Sequence, residues 1–504
     1  MTRIRWTIVP AILALLAALI TLRISLTWAS EANSTGSLLA LALAFLLPIG
    51  LTLVAWSALP CDRADSVAVL APLALALALV GYLGLGFGFH FGGAAFISDD
   101  AELKNLSRFF SLVRGADSPR WGVIGLEGFF LGGDAATPAA VQLFLSQLPL
   151  VTSVTLLVML ALPRRTPPLA QALAGLIVSA ITYPLAGHWV SGGGWLAHLG
   201  QTLSLGHGLT DFAGAGTAFV LGSATTLAAA LVFGQRQEPS AHVPPGETVP
   251  MPPAQFPLLA SLGALLAAIG WIALGLANPL YTEINAALSW PRIVLNGLAG
   301  LAGGTLLAQL YSWFTTRRFD PLMGPRGALA GLIAASAGAP FMPTWAALVT
   351  GAVAGLLLPL AIYAIDHLFR LEDTTAAIAT YGLSGFWGLL AVALFADGRW
   401  GQGWNGVTGL AGQGVSGLLV PSGLVADSGQ FAAQVWGGVV LFILGFTLPW
   451  GAFKLVGELF GLGRRLRARV PHTTDATATP LNPSSESQST PGGRDRVVQV
   501  DDGR

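Results

Sequence analysis

DFAGAGTAFVLGSATTLAAALVFGQR, residues 211–236, opens on an acid, ends on a base and carries nothing ionisable between them. A helix that crosses a bilayer needs about 20 mostly apolar residues. This stretch supplies them, with small residues (Gly214, Gly216, Ala218, Gly222) that let neighbouring helices approach closely. Asp211 at its head can accept hydrogen bonds from the free amides of the first helical turn, where the helix dipole also favours a negative charge. Physics alone leaves Asp211 two roles, a structural cap or part of a cation site.

The rest of the chain is of the same kind. Of 504 residues, 54% are hydrophobic and only 10% charged, and the mean hydropathy is +0.68. Soluble domains carry about 25% charged residues. The chain has 63 glycines and 31 prolines, but disorder would combine them with low hydrophobicity. The composition is that of a polytopic helical membrane protein in contact with a lipid bilayer. Acidic and basic residues balance at 25 each, so nothing points to a nucleic-acid partner. A single cysteine, Cys61, excludes an internal disulfide and a thiolate metal cluster.

Apolar runs of spanning length fall at 36–60, 66–91, 137–162, 169–190, 211–234, 256–277, 289–315, 325–342, 344–366, 376–396 and 431–460, eleven in all. A further run, Trp6 to Trp28, reads equally as a cleaved signal peptide (residues 1–30) or as an extra transmembrane helix. Arg164, Arg165, Arg236, Arg317, Arg318, Arg326 and Arg370 fall in alternate loops, and Arg464, Arg465, Arg467 and Arg469 follow the last span. Positive charge marks the cytoplasmic side, so the core, residues 31–462, begins outside and ends inside the cell membrane. Residues 463–504 read as a basic juxtamembrane segment and a disordered cytoplasmic tail; the alternative is a docking peptide for an unknown cytoplasmic regulatory protein. A Pro-rich linker, 235–255, separates the first five spans from the next six. Two five-helix halves of opposite topology would make an inverted repeat, with the pathway at its pseudo-twofold interface.

Catalytic constellations are absent, so no enzyme is expected, and neither a metal site nor a cofactor. None of the seven histidines lies in the middle of a span, and His188 and His198 read as loop residues beside Gly192–Gly194. Lys454 and Glu458, four apart in the final span, are expected to pair on one helix face.

The 211–236 stretch resembles the signature of the ammonium transporter family, which also includes the Rh proteins. GYLGLGFGF (81–89), HWVSGGGWLAHLG (188–200), GWIALGLANP (270–279) and RLEDTTAAIATYGLSGFWGLLAVALFADG (370–398) are similar to further family motifs, in family order. The resemblance covers about residues 36–460. It implies an eleven-helix trimer that captures ammonium outside and passes neutral ammonia through an apolar pore. It also implies that Phe219 and Tyr381 stand where the family places two facing pore histidines. Neither replacement is a proton relay at neutral pH: Phe has no exchangeable proton and the phenol of Tyr has a pKa near 10.

At the outer recruitment site, the resemblance puts Ser191 in place of a Trp, Leu274 near a Phe and Asn278 near a Ser. Asp211 matches the family acid that supports this site from behind. Trp189 and Trp195 flank the same loop and either substitute for the missing aromatic faces or anchor the interface. Three functions are therefore open: a divergent ammonium/ammonia channel, a non-transporting ammonium sensor or membrane scaffold, and a channel for another small neutral solute.

Overall fold

The computed structural model describes residues 32–59, 61–112, 121–162, 166–233, 256–281, 289–371, 373 and 375–460. The apolar run at 6–28, the linker at 235–255, the tail, and Arg164, Arg165, Arg236 and Arg464–Arg469 lie outside these residues. Ten described helices are long and apolar enough to span a membrane: α1 (Gly36–Ala58), α2 (Ser66–Phe96), α3 (Pro138–Ala161), α4 (Pro168–Ser191), α5 (Ala215–Phe233), α6 (Pro257–Ala277), α7 (Trp290–Thr316), α9 (Thr344–Leu368), α10 (Ile378–Phe395) and α11 (Ser428–Leu459). Between α7 and α9 lies α8 (Met323–Ser336), only 14 residues long.

The sequence predicts a span at 325–342 here, and the helix falls short of it. Gly338, Pro340 and Pro343 break the pattern. The carbonyls freed by the break are held from α7, where Asn296 Nδ2 donates to Ala339 O and Met342 O, both at 2.8 Å. Every residue of α8 is buried, so this helix meets protein on all sides rather than lipid. Its counterpart in the first half, α3, has 94% of its apolar window buried. Large apolar side chains elsewhere, such as Leu258, Leu306 and Phe314, remain exposed on the outer faces of their helices.

The inverted repeat predicted from hydropathy appears as two antiparallel crossings. In the first, α1 meets α6, with Gly50 against Gly263 and Leu47 against Gly270. In the second, Ala215, Phe219 and Ser223 of the α5 segment meet Gly385, Tyr381 and Ala377 of the α10 segment. Contact runs up one chain as it runs down the other. Wide π-type turns open the equivalent helices of the two halves, at Ala215–Val220 in α5 and Ile378–Leu383 in α10.

The fold is not purely helical. A two-stranded antiparallel sheet, β1 (Phe109–Ser111) with β2 (Gly122–Gly125), forms in the segment between α2 and α3. Strands of three and four residues are too short to leave an alternating pattern.

Candidate functional site

The head of α5 is built by Asp211. Its Oδ2 accepts the amides of Gly216 (3.0 Å) and Thr217 (2.8 Å) and the Thr217 hydroxyl (3.0 Å). Gly214, at φ +81°, supplies the left-handed turn between the acid and its helix. Asp211 Oδ1 is buried without a partner.

Asp211 lines a cavity of about 30 Å³, together with Gln147, Tyr183, Ser191, Leu274, Asn278 and Tyr281. Such a space holds one or two water-sized molecules. The structure thus brings together four residues singled out from sequence, Asp211, Ser191, Leu274 and Asn278. Trp189 and Trp195 are not among the cavity's lining residues. The Trp189 indole donates to Val123 O at 2.8 Å, and Trp195 stacks on Trp121 with centroids 5.7 Å apart. Both contacts tie the end of α4 and the loop after it to the segment between α2 and α3. Asn278 Oδ1 accepts the Leu280 amide at 3.1 Å, so part of its acceptor capacity serves its own turn.

Below the cavity, Phe219 and Tyr381 stack with centroids 5.8 Å apart and planes 28° from parallel. Both are buried. The two half-sites repeat: Asp373 accepts the amides of Ala377 and Ile378, each at 2.8 Å. Tyr381 lies eight residues after Asp373, as Phe219 lies eight after Asp211.

The sequence profile of the Ammonium Transporter Family matches residues 37–468. The chain belongs to the ammonium transporter family. It is 28% identical to Ammonium transporter Amt2 of Archaeoglobus fulgidus over 69% of this chain and 72% of that protein. It is 26% identical to the Ammonium transporter of Bacillus subtilis over 45% of this chain and 51% of that one. Two solved structures share its fold. A sensor Amt protein gives a TM-score of 0.66 at 22% identity, covering 85% of this chain and 94% of the other. Mep2 of Candida albicans gives 0.65 at 19% identity, covering 88% and 87%. The chain is therefore a multi-pass membrane transport protein of this family, not an enzyme.

Against that family frame, three functional features escape a linear reading. Arg326, counted above among the loop cations, lies in the first turn of α8 and is 7% exposed. Its Nε has no hydrogen-bond partner, and its charge is felt by Asp373 and Tyr381. Asp373 itself sits just before α10, and burial pushes its carboxyl up to about 6, against the opposing pull of the Ala377 and Ile378 amides and of Arg326. The repeated eight-residue spacing from acid to aromatic is the signal that would have found it. Finally, His188, expected in a loop, is fully buried on α4, and His90 is fully buried on α2.

Proposed function

We propose that this protein is an ammonium/ammonia channel that conducts the neutral species. The observation that carries the reading is the Phe219–Tyr381 stack at the crossing of α5 and α10. It leaves the pore centre without a titratable pair at neutral pH, and a naked proton or ammonium ion in an apolar bore faces a large desolvation cost. Neutral ammonia does not. Capture takes place in the cavity lined by Ser191 and Asn278, whose acceptors stand beside the rings of Phe212 and Tyr281, with Asp211 behind them. Supporting the assignment of substrate are the family membership and the named ammonium transporters to which the chain is similar.

The same reading makes the protein a homotrimer of the cell membrane with its C-terminus in the cytoplasm, in keeping with the family resemblance and the arginine distribution. The decisive experiment reconstitutes the full chain in liposomes and follows internal pH after an ammonium jump. Faster alkalinisation than in empty vesicles supports the channel. Rates equal to those of empty vesicles would instead mean that Phe219 and Tyr381 close the pore. Cysteines at Asp134 and Ser484, in a chain lacking Cys61, should label from opposite sides; labelling of both from outside would overturn the topology.

A further inference from the structure

His90 is a buried ionisable residue to which the conduction pathway assigns no role. It sits two turns along α2 from Tyr82, and both are 0% exposed. Tyr82 Oη lies 2.9 Å from His90 Nδ1, and His90 Nε2 lies 2.9 Å from Ser191 Oγ. Ser191 Oγ in turn donates to Gly187 O at 3.1 Å. Only one protonation pattern uses every group: the phenol donates to Nδ1, the Nε2 proton goes to Ser191, and the Ser191 proton goes to Gly187. One Ser191 lone pair then remains, and Ser191 lines the outer cavity.

The packing around the imidazole is specific to it. A Cβ at Gly187 would strike the ring, lying 2.8 Å from His90 Cδ2 and nearer still to Cε1 and Nε2. The ring lies on Phe91, with centroids 3.8 Å apart. At the far end Tyr82 stacks on Phe144 at 5.2 Å and meets Phe87 and Tyr183 edge-on. Among the described residues the Tyr82 hydroxyl has His90 as its hydrogen-bond partner. A proton passed inward along this chain would arrive among aromatic rings with no onward acceptor. The arrangement is an anchor, not a conduit.

We propose that Tyr82 and His90 fix Ser191 as a hydrogen-bond acceptor for an N–H-bearing ligand in the outer cavity, which makes His90 a positioning residue for recognition. This rests on the channel reading, because the ligand class is ammonium and small amines. A free serine hydroxyl samples donor and acceptor orientations; a hydroxyl already receiving one proton and giving its own presents only an acceptor face. That face admits ammonium and disfavours solutes that lack an N–H or O–H.

The test is saturable ammonium uptake by the full chain in liposomes, resolved into half-saturation and maximal rate. Ser191→Ala and His90→Leu should each raise the half-saturation about 2- to 10-fold, the value of one hydrogen bond. Maximal rate should stay within about twofold, and the double variant should be no worse than the weaker single one. His90→Gln, which keeps a donor toward Ser191, should recover part of the loss. Multiplicative effects, or an unchanged half-saturation in Ser191→Ala, would overturn the proposal. Should His90→Leu fail to fold, Tyr82→Phe combined with Ser191→Ala applies the same criterion. A wild type with no saturable uptake would overturn the channel reading as well, whereas saturable uptake indifferent to these substitutions overturns only this inference.

Discussion

Replacing Asp211 by Ala removes the acceptor that three donors share at the head of α5: the Gly216 amide, the Thr217 amide and the Thr217 hydroxyl, at 2.8–3.0 Å. The hydroxyl can rotate toward another acceptor, but the two amides are fixed by the helix. A buried donor left unsatisfied costs about 1–3 kcal/mol, and loss of a helix cap of this kind costs about 0.5–2 kcal/mol. Two effects reduce the sum. Water can reach the gap from the adjoining cavity, and the variant no longer buries a carboxylate whose Oδ1 lacks a partner. A net loss of about 2–4 kcal/mol remains. Asp211→Asn keeps a carbonyl acceptor and forfeits only the charge-assisted part of the bonds, so it should lose about half as much. Chemical unfolding in mixed micelles, with wild type and both variants side by side, measures the order. An Ala variant within about 0.5 kcal/mol of wild type, or an Asn variant less stable than the Ala variant, would refute the capping role.

Asp373, whose carboxyl burial raises to about 6, well above the ordinary range for Asp, gives a pH test. A raised carboxyl favours the folded state while it is protonated, so wild type should lose stability relative to Asp373→Asn as pH rises from about 4 to 7, by up to roughly 3 kcal/mol. A difference that is flat across that window would contradict the burial of this group. Gly263→Val should cost about 3 kcal/mol, since a Cβ there lies 2.6 Å from the Gly50 carbonyl oxygen, which is backbone and cannot give way. Gly451→Ala, with nothing within 4 Å of its added Cβ, is the matched control and should be near neutral in the same unfolding assay. Phe219→His with Tyr381→His should create an ammonium-dependent current where wild type has little, recorded as current per transported ammonia.

Much of this fold is legible because lipid leaves few solutions: apolar runs of spanning length mark the helices, and the linker after the fifth marks two five-helix halves followed by one further span. The meeting of Phe219 and Tyr381 was legible only through the family resemblance, which set the two residues at facing positions, and the structure stacks them. The residues that escaped depend on contacts far apart in sequence. His90 and Ser191 are separated by 101 positions, and nothing near His90 in the text announces a partner. Arg326 looked like a loop cation because it follows Gly324 and Pro325; only the surrounding helices bury it. Lys454 has two candidates four residues away, Trp450 and Glu458, and it lies over the Trp450 ring at 3.7 Å rather than pairing with the acid. The partners of the two tryptophans are likewise distant in sequence: the Trp189 indole donates to Val123 O and Trp195 stacks on Trp121.

The central claim is that ammonia crosses without its proton, and charge movement tests it most directly. Liposomes holding the wild-type protein would receive ammonium jumps at pH 7 while membrane current and internal pH are recorded together. The stacked Phe219 and Tyr381 predict alkalinisation faster than in empty vesicles, with no current in proportion to it. A robust current carrying one charge for each ammonia delivered would contradict the account and require another path for the proton.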